Sequence, residues 1–231
     1  MTSKHGSLAL VVALTATLAA SDANSQTVTE TFDAGIPATW SIVDNHAATP
    51  GVPDSSAVAW TTNVAEALGN YTDGTPSICA TASSFNHPGQ YDTSLITPTF
   101  VLNAGADGRS IRYNINYQRP DVFDFFDTNL SINGGDWITM THDAANLGPA
   151  YSTGPPRITR GVDLTFFGAA VGDSARVEFR YYSTFLLPMV HNQYVQIDNV
   201  RTPTYIPEPA AGVLVGLALS AAALTTRSRR A

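Results

Sequence analysis

The sequence predicts an all-β protein, an antiparallel β-sandwich of jelly-roll type, and three observations carry that prediction. Between Thr27 and Thr204 apolar and polar residues alternate in runs of four to nine, the two-residue period of a strand with one packed face. Clusters of Gly, Pro, Asn and Asp separate the runs, as in "DAGIP", "TPGVPDS", "DGTP", "NHPGQ", "NAGADG" and "STGPP", and such residues interrupt ladders or permit tight turns. No long stretch between these limits keeps an apolar period of 3.6, so the body carries no helical signature. About ten to twelve short strands in a body of this size imply two packed sheets, and the lack of an internal repeat argues against a propeller or solenoid.

In "RSIRYNINYQ" Ile111, Tyr113, Ile115 and Tyr117 fall on one face and Arg112, Asn114, Asn116 and Gln118 on the other, because successive strand side chains point oppositely. "TNLSINGGDWITM" is read as a hairpin. Leu130 and Ile132 face inward, Asn133, Gly134 and Gly135 can take positive φ at the turn, and Trp137 and Ile138 open the return strand. Further strands follow in "ARVEFRYYSTF" and "NQYVQIDNV".

The two ends differ from this body. Lys4 and His5 precede an apolar stretch from Leu8 to Ala20 and then the small polar residues "SDANSQ", the layout of a secretory signal over residues 1–25, with cleavage after Ala23 or Ser25. Its apolar run is too short to span a bilayer. Residues 26–205 form one domain, with eight arginines, no lysine and seventeen carboxylates, a net charge of −9 with histidine neutral. That balance argues against nucleic acid or an anionic membrane surface as a partner. Cys79 is the only cysteine of the 231 residues, so an intrachain disulfide is excluded. Its place in the alternating "SICATAS" reads as a buried small apolar group rather than a reactive thiol.

Residues 206–231 read as an address. Ile206 and Glu208 each precede a proline, which holds both extended, while Pro209 suits the first turn of a helix. Fifteen uncharged residues from Ala210 to Leu224 follow, about 23 Å of helix against a hydrocarbon core of about 30 Å. A transmembrane helix over 210–226 is expected, with Arg227, Arg229 and Arg230 extending its reach and staying cytoplasmic. Pro207, Glu208 and Pro209, then the apolar segment, then the basic cluster, resemble the PEP-CTERM sorting signal of Gram-negative bacteria. The resemblance implies an exosortase partner that cuts near the motif. It implies an inner-membrane precursor and a mature protein at the cell surface or in the extracellular matrix.

The body resembles the choice-of-anchor J or cleaved-adhesin type of β-sandwich, which is similar in layout to MAM domains. The resemblance rests on "ETFDAGIPATWSIVD", "YDTSLITPTFVL", "DTNLSINGGDWITM", "ITRGVDLTFFG", "ARVEFRYYSTF" and "YVQIDNV" in that order. The long proline-rich "HDAANLGPAYSTGPPR" departs from it. The resemblance implies adhesion or glycan contact, not a defined reaction. It also implies a structural calcium ion between the first and last strands, for which Glu30 and Asp198, with Asp33 nearby, offer the hard oxygens that calcium takes.

A second candidate site lies on polar strand faces. Asn114, Asn116 and Gln118, with Asn129, Ser131, Arg180, Tyr182, Tyr194 and Gln196, point away from the apolar partners on their own strands. If these strands are neighbours, they form an amide-rich surface with two aromatic rings, suited to extracellular polysaccharide. Asp121, Asp124 and Asp127 recur at a spacing of three around phenylalanines, read as solvated acids of a loop feeding a strand. No H-E-x-x-H, G-x-S-x-G or phosphate-binding glycine loop is present, and His46, His87, His142 and His191 are widely spaced. The expectation is a non-enzymatic surface protein with no catalytic residues. A secreted glycan-active hydrolase, or an accessory module of one, is the alternative.

Overall fold

The computed structural model describes residues 27–46, 58–72, 77–85, 89–118, 123–145, 147, 158–184 and 193–203. The leader segment 1–25, the Pro207–Glu208–Pro209 motif, the 210–226 stretch and Arg227, Arg229 and Arg230 lie outside these residues. Among the described residues no helix is long and apolar enough to cross a membrane.

Twelve strands are described: β1 (Thr27–Glu30), β2 (Ser41–Asp44), β3 (Thr61–Thr62), β4 (Ala80–Ser83), β5 (Asp92–Ile96), β6 (Phe100–Val101), β7 (Ser110–Gln118), β8 (Asp124–Ile132), β9 (Ile138–Asp143), β10 (Ile158–Asp163), β11 (Ser174–Ser183) and β12 (Tyr194–Pro203). They form two antiparallel sheets. The first runs β10-β7-β12-β4-β3, with β1 also on β12; the second runs β2-β5-β11-β8-β9, with β6 also on β11. The central quartets β10-β7-β12-β4 and β9-β8-β11-β5 exchange the chain between sheets in the order of a jelly roll. The predicted all-β sandwich is therefore the observed one, and β1 and β12, the first and last strands, are paired.

The core lies between the sheets and is built by the alternation legible in the chain. Ile111, Tyr113, Ile115 and Tyr117 of β7 are all fully buried, and so are Val177, Phe179 and Tyr181 of β11 and Phe126 and Leu130 of β8. Rings from opposite sheets meet across the gap: Tyr113 edge-on to Phe179 at 5.0 Å, and Tyr117 near Phe126 at 6.0 Å and Tyr181 at 6.3 Å. Such pairs contribute about 0.5–1.5 kcal/mol each beyond the area they bury. Their hydroxyls are satisfied inside, Tyr113 by Thr128 Oγ1 and Tyr117 by the Asp124 carbonyl. Cys79 is buried as expected, its sulfur 3.6 Å from Thr81 Oγ1.

Two local devices aim the faces. Asn133 and Gly134 take φ of 51° and 73° between β8 and β9, and Gly135 N–H donates to the Ile132 carbonyl at 2.9 Å, the double positive-φ turn that suits a tight hairpin. In β12 the register on β7 shifts between Asp198 and Arg201, with Asn199 at φ 50°. This bulge lets both Ile197 and Val200 face the core although they are three residues apart.

Candidate functional site

The predicted polar surface divides between the two sides of the sandwich. Asn114, Asn116, Gln118, Tyr194 and Gln196 stand on the outer face of the first sheet, whereas Asn129, Ser131, Arg180 and Tyr182 stand on the outer face of the second. The expectation that these strands form one surface is thus corrected: β7 and β12 are neighbours, but β8 and β11 lie across the core. Alternation tells which way a side chain points from its own strand, not which sheet that strand joins.

The first-sheet group is also not an open face. Gln196 accepts from Tyr71 N–H at 2.9 Å and donates to the Gly69 carbonyl at 2.8 Å, and the Tyr71 ring packs on Tyr194 at 5.8 Å. The segment 63–72 therefore lies over this sheet. Asn116, Gln118, Tyr194 and Gln196 are almost entirely buried, and Asn114 nearly so, its Oδ1 accepting from Thr159 Oγ1 at 2.9 Å. Tyr194 and Gln196 therefore lie beneath this segment and not on an open face.

The outer face of the second sheet is different. Along β11, Arg176, Glu178, Arg180 and Tyr182 point outward, opposite Ser131, Asn129, Asp127 and Phe125 of β8, with Asp92 and Ser94 on the other flank from β5. A cleft of about 380 Å³ opens here, lined by Asn45, Asp92, Asn129, Trp137, Thr139, Glu178 and Arg180. Trp137 is 38% exposed at its side and carries Arg176 over its ring at 5.5 Å. A separate hollow of about 300 Å³ is lined by Thr99, Ser131, Asn133, Gly134, Ser174, Ala175 and Arg176.

The cleft floor is a preorganised hydrogen-bond network. Glu178, only 5% exposed, accepts from Ser94 Oγ at 2.6 Å and from Asn129 Nδ2 at 2.7 Å, and Ser94 in turn accepts from Asn45 Nδ2 at 2.7 Å. Arg180 grips Asp92 through two bonds, Nε to Oδ1 at 2.8 Å and Nη2 to Oδ2 at 2.5 Å, the fork geometry that fixes a guanidinium in orientation. That hydrogen bonding raises the Arg180 pKa further above its ordinary value. Beside it, Arg180 lies 4.7 Å from the Tyr182 ring, Tyr182 stacks on Phe125 at 5.4 Å, and Phe125 stacks on His142 at 5.2 Å. His142 Nδ1 meets Asp127 Oδ1 at 2.7 Å. Burial, and then the Asp127 carboxylate, push the Tyr182 phenol up to about 12. Rigid acceptors, amide and guanidinium donors and an accessible indole are the groups that recognise a polyhydroxylated ring.

The calcium candidates are not gathered into such a site. Glu30 Oε1 accepts from Phe32 N–H, Asp33 Oδ2 from Thr31 Oγ1, and buried Asp198 from Asn70 Nδ2, Thr72 Oγ1 and Asn199 N–H. Among the described residues no group of three or more His, Cys, Asp or Glu side chains is placed to hold a metal ion. Glu30, Asp33 and Asp198 are thus each engaged in local turns or with the loop over the first sheet. The acids spaced by three are corrected as well. Asp124 and Asp127 lie within β8 on opposite faces, Asp124 fully buried toward the core and Asp127 facing outward; Asp121 is outside the described residues.

No known protein-family profile matches this chain, and no curated protein does. Among solved structures, it is similar to one of TmCBM61 in complex with beta-1,4-galactotriose, at 8% identity over 76% of this chain and 95% of that one, with a TM-score of 0.44. It is also similar to a CBM4 structure, at 12% identity over 75% of this chain and 100% of that one, with a TM-score of 0.28.

Sequence reasoning placed Arg180, Tyr182, Asn129 and Ser131 on an outward face but missed Asn45, Asp92, Thr139 and Glu178, and assigned Trp137 only to a strand start. Glu178 was within reach, because it alternates with Val177 and Phe179 in the same run that yields Arg180. Asn45 and Asp92 were not, because only the β2–β5 pairing brings them to β11.

Proposed function

We propose that this chain is an exported, non-catalytic surface protein whose sandwich binds extracellular polysaccharide on the outer face of its second sheet. The observation that carries the reading is Trp137 exposed at the side of a cleft whose floor holds Asn45, Asp92, Asn129, Glu178 and Arg180 in one network. The groups are already oriented by each other, so a sugar's hydroxyls meet donors and acceptors that lose little entropy on binding. In the same reading, the leader over 1–25 exports the body and Pro207–Glu208–Pro209 with the 210–226 segment and the arginines directs it to an exosortase in the inner membrane. The support for that half is the order of the three tail parts in the sequence.

The test is retention of the protein in affinity gels containing hydroxyethyl cellulose, xylan, mannan, β-galactan, laminarin, alginate or polygalacturonate. At least one polysaccharide should slow the protein. Trp137→Ala should weaken that binding by about tenfold or more, which corresponds to about 1.4 kcal/mol, with little change in melting temperature because the ring is partly exposed. Retention by none, or undiminished retention of the variant, would remove the site.

A second reading is favoured by one feature: two carboxylates, Asp92 and Glu178, line the same cleft, and glycoside hydrolysis uses such a pair. Here each is engaged as an acceptor, Asp92 by Arg180 and Glu178 by Ser94 and Asn129, and neither donates. Release of reducing sugar from the retained polysaccharide would restore the hydrolase.

A further inference from the structure

The cleft has a direction. Its lining residues come from every full strand of the second sheet in spatial order: Asn45 just after β2, Asp92 on β5, Glu178 and Arg180 on β11, Asn129 on β8, and Thr139 on β9. It therefore runs across the strands from one sheet edge to the other, not along them. Neighbouring strands lie roughly 4.8 Å apart, so the four gaps span about 19 Å, close to the length of about four linked pyranose rings. Both ends reach an edge strand, β2 on one side and β9 on the other, so among the described residues no further strand of the sheet closes the cleft at either end.

The charges add a second selection. The cleft's one guanidinium is already bound by Asp92, and Glu178 is a further negative group on the floor. An incoming sugar carboxylate would face Glu178 with no unpaired cation among the cleft's described lining residues, within a body of net charge −9.

We infer that the cleft takes an internal run of about four units of a linear, uncharged polysaccharide lying across the strands. The inference rests on the glycan reading above and specifies its ligand. It is tested by titration calorimetry with size-sorted oligosaccharides of one to eight units, prepared by partial hydrolysis of whichever panel polysaccharide is retained best, with oligogalacturonates as the charged comparison. Affinity should climb with each unit to about four and then level off, with oligogalacturonates at least about tenfold weaker. Asn45→Ala and Thr139→Ala, at opposite ends, should each weaken the hexamer by about three- to tenfold and leave the dimer unchanged. These expectations follow from contacts made only by a ligand that spans the sheet. A monomer or dimer bound as tightly as the hexamer, or acidic oligomers bound as tightly as neutral ones, would overturn the inference while leaving glycan binding in place. Failure of the whole panel would instead overturn the underlying reading.

Discussion

Gln196 ties the loop 63–72 to the outer face of β12 through its own amide, accepting from Tyr71 N–H and donating to the Gly69 carbonyl. It is fully buried, so its removal leaves two backbone groups without partners in a low-dielectric place. Gln196→Ala is expected to destabilise the fold by about 1–3 kcal/mol, read as a lowered denaturant midpoint, and to leave polysaccharide retention unchanged because the cleft is on the other side. The same residue shows where reading from sequence stops. Its outward direction follows from Val195 and Ile197 pointing inward, but nothing in the local pattern announces that a loop about 125 residues earlier covers it. Asn116 and Tyr194 were legible and misleading for the same reason. Glu178 and Arg180 were legible as alternation; what made them a site, the grip of Arg180 on Asp92, is a contact between residues 88 apart.

At the scale of elements, the period-two runs and turn residues located most strands, because each is a local consequence of which side is wet. The β8–β9 hairpin was readable down to its turn, since Asn-Gly is the pair that accepts two positive φ values in succession. Asn133 does more there: its Oδ1 accepts from Ser174 N–H and its Nδ2 donates to Asp173, pinning the hairpin to β11. That hydrogen bond, with one from Ala170 N–H, holds the Asp173 carboxyl below its ordinary pKa. The β12 bulge was not readable. "QIDNV" continues a plain alternation by eye, and only the shift at Asn199 puts Val200 in the core. The acid spacing in "DVFDFFD" misled because a period of three was read outside a strand, whereas β8 begins at Asp124 and sends Asp124 and Asp127 to opposite sides.

For the whole molecule, Tyr91, Tyr113, Tyr117 and Tyr181 lie in the core, and this fixes its response to alkali. Burial raises the pKa values of Tyr91, Tyr113 and Tyr181 above the ordinary value, and Tyr182 is pushed up to about 12. A group whose folded pKa exceeds its unfolded one contributes stability that is complete below the unfolded value, near pH 10, and is lost as pH rises through the folded value. Melting temperature should therefore fall steeply between about pH 10 and 12, and phenolate absorbance near 295 nm should rise with unfolding rather than before it. Independent ionisation of all nine tyrosines near pH 10 in the folded protein would contradict this packing.

The claim on which the function turns is that one side of the sandwich, and not the other, meets sugar. Nuclear magnetic resonance of the labelled protein, titrated with oligosaccharides from the retained polysaccharide, tests it most directly. The account predicts shifts of the Trp137 indole Nε1–H and of the amides around Asn129, Glu178 and Arg180, with the amides of residues 63–72 unmoved. Shifts confined to residues 63–72 and the first sheet, with the indole unchanged, would contradict it.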